Sequence, residues 1–428
     1  MKTTIFAISL LFTTFAFQSC LFEEDMAFEK SASERLISAL KTDNDSLQTA
    51  SNGWAMEYFA TETSPGYTML VKFDNTGHAI FASKSELTKN IYATDTCSYQ
   101  MLGDAGPMLT FNTYSKILHA FSEPDISGLG FEGDFEFVVM KCTANQIILK
   151  GKKRGTTILL NKLSPNIVWS QYFADLDAMN TILFGYNAPK LRMNITQKYL
   201  FSGGISHIFT YLRDTVGVRP TLVDNPTIDA PFIITRTGIR FYAPQELDGK
   251  FFQTFTLNAD KSALVSNENA DVKFIGPESL AAYFNDNINV WIFDPLKLSP
   301  KVKVTYDLLL QSLVTKYKAT DIKVAIKYLA SRKSHTLMIS FVSNKNKLEG
   351  NVDLKFTIEG KEGISMLNLG TGDTNGKTFY TNIASYKDMS NLISTSYLIS
   401  TETPINPQNI KLVSKTDPDI WFTVTTSL

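Results

Sequence analysis

The chain opens on an apolar run and then settles into two alternating periods. Ile5 to Phe17 is broken only by Ser9, Thr13 and Thr14 and follows Lys2. That run is shorter than the ~20 residues that cross a bilayer and suits the core of a signal peptide. Residues 28–50 carry a helical period, with Phe28, Ala32, Leu36 and Leu40 spaced by four on one face. Ser31 and Glu34 fit a capping box, and Asn52-Gly53 ends the element. From Trp54 the period drops to two: Trp54, Met56 and Tyr58 alternate with Ala55, Glu57 and Phe59. Strands are expected at Tyr67–Phe73, His78–Ser83, Ser98–Leu102, Met108–Thr113, Phe135–Lys141 and Gln146–Leu149. A last hairpin turns at Lys152-Lys153-Arg154-Gly155 and returns through Ile158-Leu159-Leu160.

Ser164-Pro165-Asn166 marks a boundary, and Tyr172, Phe173, Leu176, Met179 and Leu183 then outline a second helix stopped by Gly185. Strands follow at Tyr199–Phe201 and His207–Leu212. A Pro-rich loop then runs from Arg219 to Pro231, and two further strands flank the turn Glu246-Leu247-Asp248-Gly249. Residues 304–331 are ambiguous, because Ile322, Ala325, Ile326 and Leu329 fit a helical stripe. Leu337–Val342, Val352–Ile358, Ile410–Val413 and Ile420–Val424 read as strands.

Short strands with regular turns and few intervening helices predict an α+β chain, mainly antiparallel β. Its β domains are expected to be lipocalin-like or sandwich-like, each preceded by a helix. The expected layout is a signal peptide at 1–19, an acidic tether at 20–27, a helix plus β domain at 28–163, and an α+β region at 164–428. That last region holds two subdomains if it splits near 300.

Length and composition narrow the classes. The 428 residues include 44% hydrophobic and 19% charged residues, which exclude a disordered polymer. Forty-one Lys and Arg balance 42 Asp and Glu, so the chain lacks the basic excess of a general nucleic-acid binder. Three cysteines are too few for a disulfide scaffold.

Phe17-Gln18-Ser19-Cys20 resembles a bacterial lipobox, with Phe17 larger than the usual leucine. The resemblance implies that Cys20 is acylated and becomes the new N-terminus, so that lipid rather than a spanning helix holds the protein to a membrane. Glu23-Glu24-Asp25 just beyond it resembles a surface-export signal of Gram-negative lipoproteins.

Further stretches resemble a lipoprotein family known as domain of unknown function 4302. They are Phe28–Leu40, Ser51-Asn52-Gly53-Trp54 with Tyr58, Gly66-Tyr67-Thr68, Lys72-Phe73, Leu149-Lys150-Gly151-Lys152-Lys153 before Thr156 and Leu159, and Gly238-Ile239-Arg240-Phe241-Tyr242. The resemblance implies an outer-membrane, surface-exposed lipoprotein near a starch-utilisation-type uptake system. Its partners would be a TonB-dependent porin and a glycan-binding lipoprotein. It transfers no site residues.

Catalytic signals are sparse. His78, His119, His207 and His335 are too scattered for a His-x-x-x-His metal site, and no metal or cofactor is expected. His119 and His207 are read as packed strand residues. Gly370 to Thr378 departs from a phosphate-binding loop because Thr371 stands where the first glycine is required, and residues 379–383 do not begin a helix. A weak calcium site at Asp373 is the minor alternative there. No Gly-x-Ser-x-Gly elbow occurs, so no catalytic residue is assigned. A carboxylate pair assembled by the fold is the remaining route to a hydrolase. Cys97 and Cys142 are either one disulfide or two free thiols. Among 51 aromatic residues, Trp54 reads as a core anchor. Trp291, beside Asn285-Asp286-Asn287 and Asn289, is the candidate sugar-stacking platform. The leading function is an accessory binding or scaffolding subunit for glycan or peptide uptake. A pure interaction subunit and a carboxylate hydrolase are the alternatives.

Overall fold

The computed structural model describes residues 30–104, 106–124, 130–185, 191–195, 200–202, 208–209, 227–286 and 289–426. Cys20, the acidic run after it, His207 and most of the Arg219–Pro231 loop lie outside the described residues.

Helix α1 (Ala32–Gln48) begins as its sequence dictates. The Ser31 amide donates to Glu34 Oε2 at 2.9 Å and the Glu34 amide donates to Ser31 Oγ at 3.3 Å, satisfying two first-turn donors. Asn52-Gly53 then turns the chain, with Gly53 at φ +83°, into an antiparallel meander. Its strands are β1 (Trp54–Phe59), β2 (Gly66–Phe73), β3 (His78–Ser83), β4 (Ala93–Gly103), β5 (Pro107–Phe111), β6 (Glu136–Cys142), β7 (Gln146–Gly151) and β8 (Thr157–Lys162). β8 pairs back onto β1, Met56 opposite Leu160, so the eight strands close into a barrel with no free edge.

The barrel interior is filled. Trp54, Tyr58, Phe81, Phe121 and Phe137 are fully buried, with Met69, Leu109, Ile147 and Leu149 packed among them. Polar residues such as Lys72, Thr94 and Gln100 point outwards. The pattern is apolar inside and polar outside, the reverse of a membrane-spanning barrel. Trp54 is the core anchor expected of it: its indole N–H donates to the Leu47 carbonyl at the end of α1.

Helix α2 (Trp169–Leu183) follows, and then a middle module. It contains β9 (Arg192–Met193), β10 (Leu200–Ser202), β11 (Ile208–Phe209), β12 (Thr227–Asp229), β13 (Phe232–Thr235), β14 (Gly238–Leu247), β15 (Lys250–Leu257), β16 (Ala263–Ser266) and β17 (Lys273–Ile275). Six of them form an open sheet in the order β13-β14-β15-β16-β17-β9, and β11-β10-β12 form a small second sheet. Phe232, Phe241, Phe252, Phe255 and Phe274 make the core of the larger sheet, with Met179 and Leu183 of α2 laid against it.

The helix-then-barrel arrangement recurs after this module. A short α3 (Leu280–Phe284) leads into β18 (Val290–Leu298), α4 (Pro300–Tyr317), β19 (Thr320–Leu329), β20 (Ser334–Ser343), β21 (Asn346–Ile358) and β22 (Gly363–Gly372). Helices α5 (Thr374–Asn382) and α6 (Ala384–Leu392) intervene before β23 (Ser396–Ser400), β24 (Asn409–Ser414) and β25 (Trp421–Thr425). β25 pairs with β18 and closes a second eight-stranded barrel. Its interior is filled by Phe293, Ile326, Leu337, Ile339, Leu354, Tyr397 and Phe422, together with Tyr306 and Leu309 of α4 and Tyr386 of α6. The Tyr386 hydroxyl donates to the Leu337 carbonyl at 2.6 Å from inside this core.

Three expectations change here. The stripe at Ile322–Leu329 is β19, a strand hydrogen-bonded on both sides to β18 and β20. It imitates a helix because Val324, Ala325 and Ile326 are all buried, so alternation is lost. Ala325 faces outwards but is covered by Ile292 and Met338. The loop read at Gly370–Thr378 is the end of β22 and the start of α5. Third, His119 stands in a single turn of 3₁₀ helix, not a strand. The fold is α+β, mainly antiparallel β, as the alternation predicts, and two closed barrels flank a module built on an open sheet.

Candidate functional site

Both barrel interiors are filled, and a concave surface lies on an outer face of the second barrel. β18 supplies it. Its pairing with β25 runs Ile292 to Thr425 and Phe293 to Val424, then resumes only at Leu298 with Phe422. Residues 294–297 therefore bulge away opposite Thr423 alone. The Leu296 amide donates to Asp294 Oδ1 at 3.0 Å and fixes the bulge, which leaves the Leu296 side chain 92% exposed. Beneath it lies a groove of about 310 Å³. Its walls are Leu296 and Lys297 from the bulge, Ser400, Thr401 and Glu402 from the end of β23, Asn409 and Lys411 of β24, and Trp421 and Thr423 of β25.

The floor is well supported. The Ser299 amide donates to the Trp421 carbonyl at 2.9 Å, and the Trp421 amide donates to Ser299 Oγ at 3.3 Å. Ser299 is also the N-cap of α4, so the helix start holds the tryptophan backbone. Lys411 Nζ sits 4.6 Å from the centre of the Trp421 ring, a cation–π contact. The rim at Thr401–Glu402 is anchored from behind. Ile405 is buried in the core of the middle module, its amide donates to the Lys261 carbonyl at 2.9 Å, and Asn406 Nδ2 donates to the Leu183 carbonyl at 3.0 Å.

The fold does assemble carboxylates, on the opposite strands of this barrel, and each is already engaged. Arg332 grips Asp353 through Nε, 2.6 Å from Oδ1, and through Nη2. Thr371 adds a bond at 2.7 Å, and the Arg332 contact holds the Asp353 carboxyl below its ordinary value. Burial opposes ionisation of Glu349, but bonds from Lys327 and Asn351 outweigh it and leave that carboxyl lowered as well. Asp373 Oδ1 accepts from the Gly376 amide at 2.6 Å and so caps α5, while Oδ2 accepts from Asn351 Nδ2 at 2.7 Å. The helix absent from the sequence reading of this segment exists, and its N-terminus is occupied by the chain's own carboxylate. A retained proton, as a general acid needs, is not favoured at Glu349 or Asp353. Among the described residues no group of three or more His, Cys, Asp or Glu is placed to hold a metal ion.

Other sequence candidates resolve as follows. Trp291 is not a platform. It is 1% exposed, stacks on Phe284 at 5.1 Å between centroids and donates its indole N–H to the Phe284 carbonyl. Cys97 and Cys142 are both free rather than bonded. Burial pushes each thiol up to about 12, with Asp95 adding to the effect at Cys97 and Asp43 at Cys142. The His119 ring accepts from the Ser115 amide through Nδ1 at 3.0 Å, and burial lowers its proton affinity. His335 stacks on Phe356 at 4.5 Å and is pushed by burial down to about 4, with Nε2 lacking a hydrogen-bond partner among the described residues. The groove itself was missed in the sequence. Its lining comes from four separated segments, and the only local signal is a tryptophan beginning the last strand.

Several stretches that carry the family resemblance converge in space. Arg240 of β14 pairs with Glu57 of β1, each 13% exposed, and Asn161 of β8 donates to Glu57 Oε1 at 2.9 Å. Tyr242 packs on Phe59 with centroids 5.0 Å apart and accepts from the Thr157 amide at 3.0 Å. Gly66 allows this approach, since a Cβ there would lie 2.6 Å from Ile233 Cβ. Their role is to dock the middle module on the first barrel.

The model of a family described as Domain of unknown function (DUF4302) matches residues 24–259, which span the first barrel and the middle sheet through β15. No curated protein matches the chain.

Proposed function

The chain belongs to the family described as Domain of unknown function (DUF4302), and on that premise we propose a cell-envelope lipoprotein that works by binding. In this reading residues 1–19 are removed and Cys20 carries the lipid that holds the protein to the outer membrane, facing the surface. It serves as an accessory subunit of a glycan or peptide uptake system, beside a TonB-dependent porin and a glycan-binding lipoprotein.

The observation that carries the binding role is the outer groove at Trp421. Sugars present apolar C–H faces to an indole and hydroxyls to Asn, Ser, Thr and Glu, and the groove lines Trp421 with Asn409, Ser400, Thr401, Thr423 and Glu402. Surface capture needs only micromolar to millimolar affinity, ~4–8 kcal/mol, which one stacked ring and a few hydrogen bonds supply. The test is a screen of the purified full chain against polysaccharides and peptides, wild type beside Trp421→Ala. Retention without breakdown products, lost in the variant, supports the reading. Turnover abolished by replacing a single Asp or Glu moves the protein to the hydrolases.

A second reading, a pure interaction subunit, is favoured by Val304 and Leu308, exposed one turn apart on α4. It gains if a native-membrane pull-down recovers a porin equally well with Trp421→Ala.

A further inference from the structure

The groove has a charge character that the general reading leaves unspecified. Lys297 and Lys411 enter it from opposite strands, and neither has a carboxylate within salt-bridge distance among the described residues. Neighbouring lysines are treated differently: Lys415 pairs with Glu359 at 2.8 Å and Lys301 with Asp417 at 2.5 Å. The one acid in the groove, Glu402, leaves its lining at net +1 and has no salt-bridge partner among the described residues. The Lys411 ammonium is held over the Trp421 ring, the face on which a neutral sugar would stack. A neutral ligand must displace that ammonium. An anionic ligand binds it where it stands, because a cation fixed on a ring still presents its outward hydrogens.

The ligand's scaffold follows from the walls. Closure of the barrel removes the strand edge that an extended peptide would extend, and the four-residue bulge at 294–297 is too short to replace it. The remaining lining consists of hydroxyls and one amide around a ring and a leucine, which match a saccharide. We propose that this groove binds an acidic saccharide. A uronate-type carboxylate would lie between Lys411 and Lys297, and its ring hydroxyls would meet Asn409, Ser400 and Glu402. The proposal rests on the binding role given above and specifies its ligand class.

The experiment uses the purified full chain and titration calorimetry with paired tetrasaccharides. Tetragalacturonate, tetramannuronate and a chondroitin tetrasaccharide are set against cellotetraose and mannotetraose. At least one acidic member is expected to bind at least ten-fold more tightly than both neutral ones. That preference should shrink several-fold as salt rises from ~50 to ~500 mM, because ion pairing at an exposed site is screened. Lys411→Met keeps the side-chain stem and should abolish the preference, and Lys297→Met should reduce it. Equal binding of acidic and neutral sugars, or a preference untouched by Lys411→Met, overturns the acidic assignment and leaves the binding role standing. Absence of binding across the whole panel overturns the acidic assignment too, while the polysaccharide and peptide screen judges the binding role separately.

Discussion

Trp54 and Trp291 close their barrels by the same bond. Each stands at the start of a first strand and donates its indole N–H to the carbonyl seven residues upstream, Leu47 at 2.8 Å and Phe284 at 3.0 Å. In both cases that carbonyl belongs to a helix that leads into the barrel. The two halves of the chain thus solve one problem identically, which is how to fasten a helix end to a buried strand start without leaving an orphan acceptor.

Trp54→Phe and Trp291→Phe each leave that carbonyl buried without a donor and a small void beside it. Each is expected to cost about 2 kcal/mol, most of it from the unmet acceptor. Chemical denaturation of the full chain checks this. Similar losses at the two sites support their equivalence, and a loss at one site only counts against it.

Breaking the Glu57–Arg240 pair should loosen the middle module from the first barrel. Removing one partner of a mostly buried pair leaves the other charge unmet, so Glu57→Gln and Arg240→Met singly should each cost about 3 kcal/mol. The double variant should cost less than the sum, and a double-mutant cycle measures the coupling. Strict additivity would mean the two side chains do not depend on each other.

Acid should find His335 early. Its folded-state affinity for a proton, near pH 4, lies below the ordinary 6.5, so the unfolded chain binds the proton first. The stability it contributes is complete above pH 6.5 and is lost as pH falls towards 4, a total of ~3 kcal/mol. His335→Leu should flatten the stability curve over that window relative to wild type. Parallel curves between pH 6.5 and 4 would contradict a neutral buried imidazole.

The thiols give a direct chemical readout. With both held up to about 12, only about one in ten thousand is ionised at pH 8, and the thiolate is the reactive form. In a Cys20→Ser chain an aromatic disulfide reagent should find almost no reactive thiol until denaturant is added, and then two. Finding none after denaturation would mean a bond between Cys97 and Cys142.

The sequence was most legible where one face of a strand is buried and the other wet. His78–Ser83 could be bounded to the residue, because buried Ala79 and Phe81 alternate with exposed His78 and Ile80 between the turn at Gly77 and Lys84. It was least legible where both faces are covered, as at Val324–Ala325–Ile326, since burial there has no period. Trp291 misled for another reason. The asparagines before it suggested an exposed site, while strand direction carries its ring inwards onto Phe284. The groove needed the fold itself, because a strand bulge opposite one residue, Thr423, has no signature in local composition.

The segment from Ser400 to Gln408 has two duties. Its first residues border the groove, and Ile405 and Asn406 are sunk into the neighbouring module. A ligand bound to Glu402 and Asn409 would hold the two ends of the segment whose middle is sunk into the neighbouring module, and so would steady the seam from one side. By thermodynamic reciprocity, whatever stiffens the seam must tighten the grip. Occupancy of the groove would then be felt at the seam without moving either barrel.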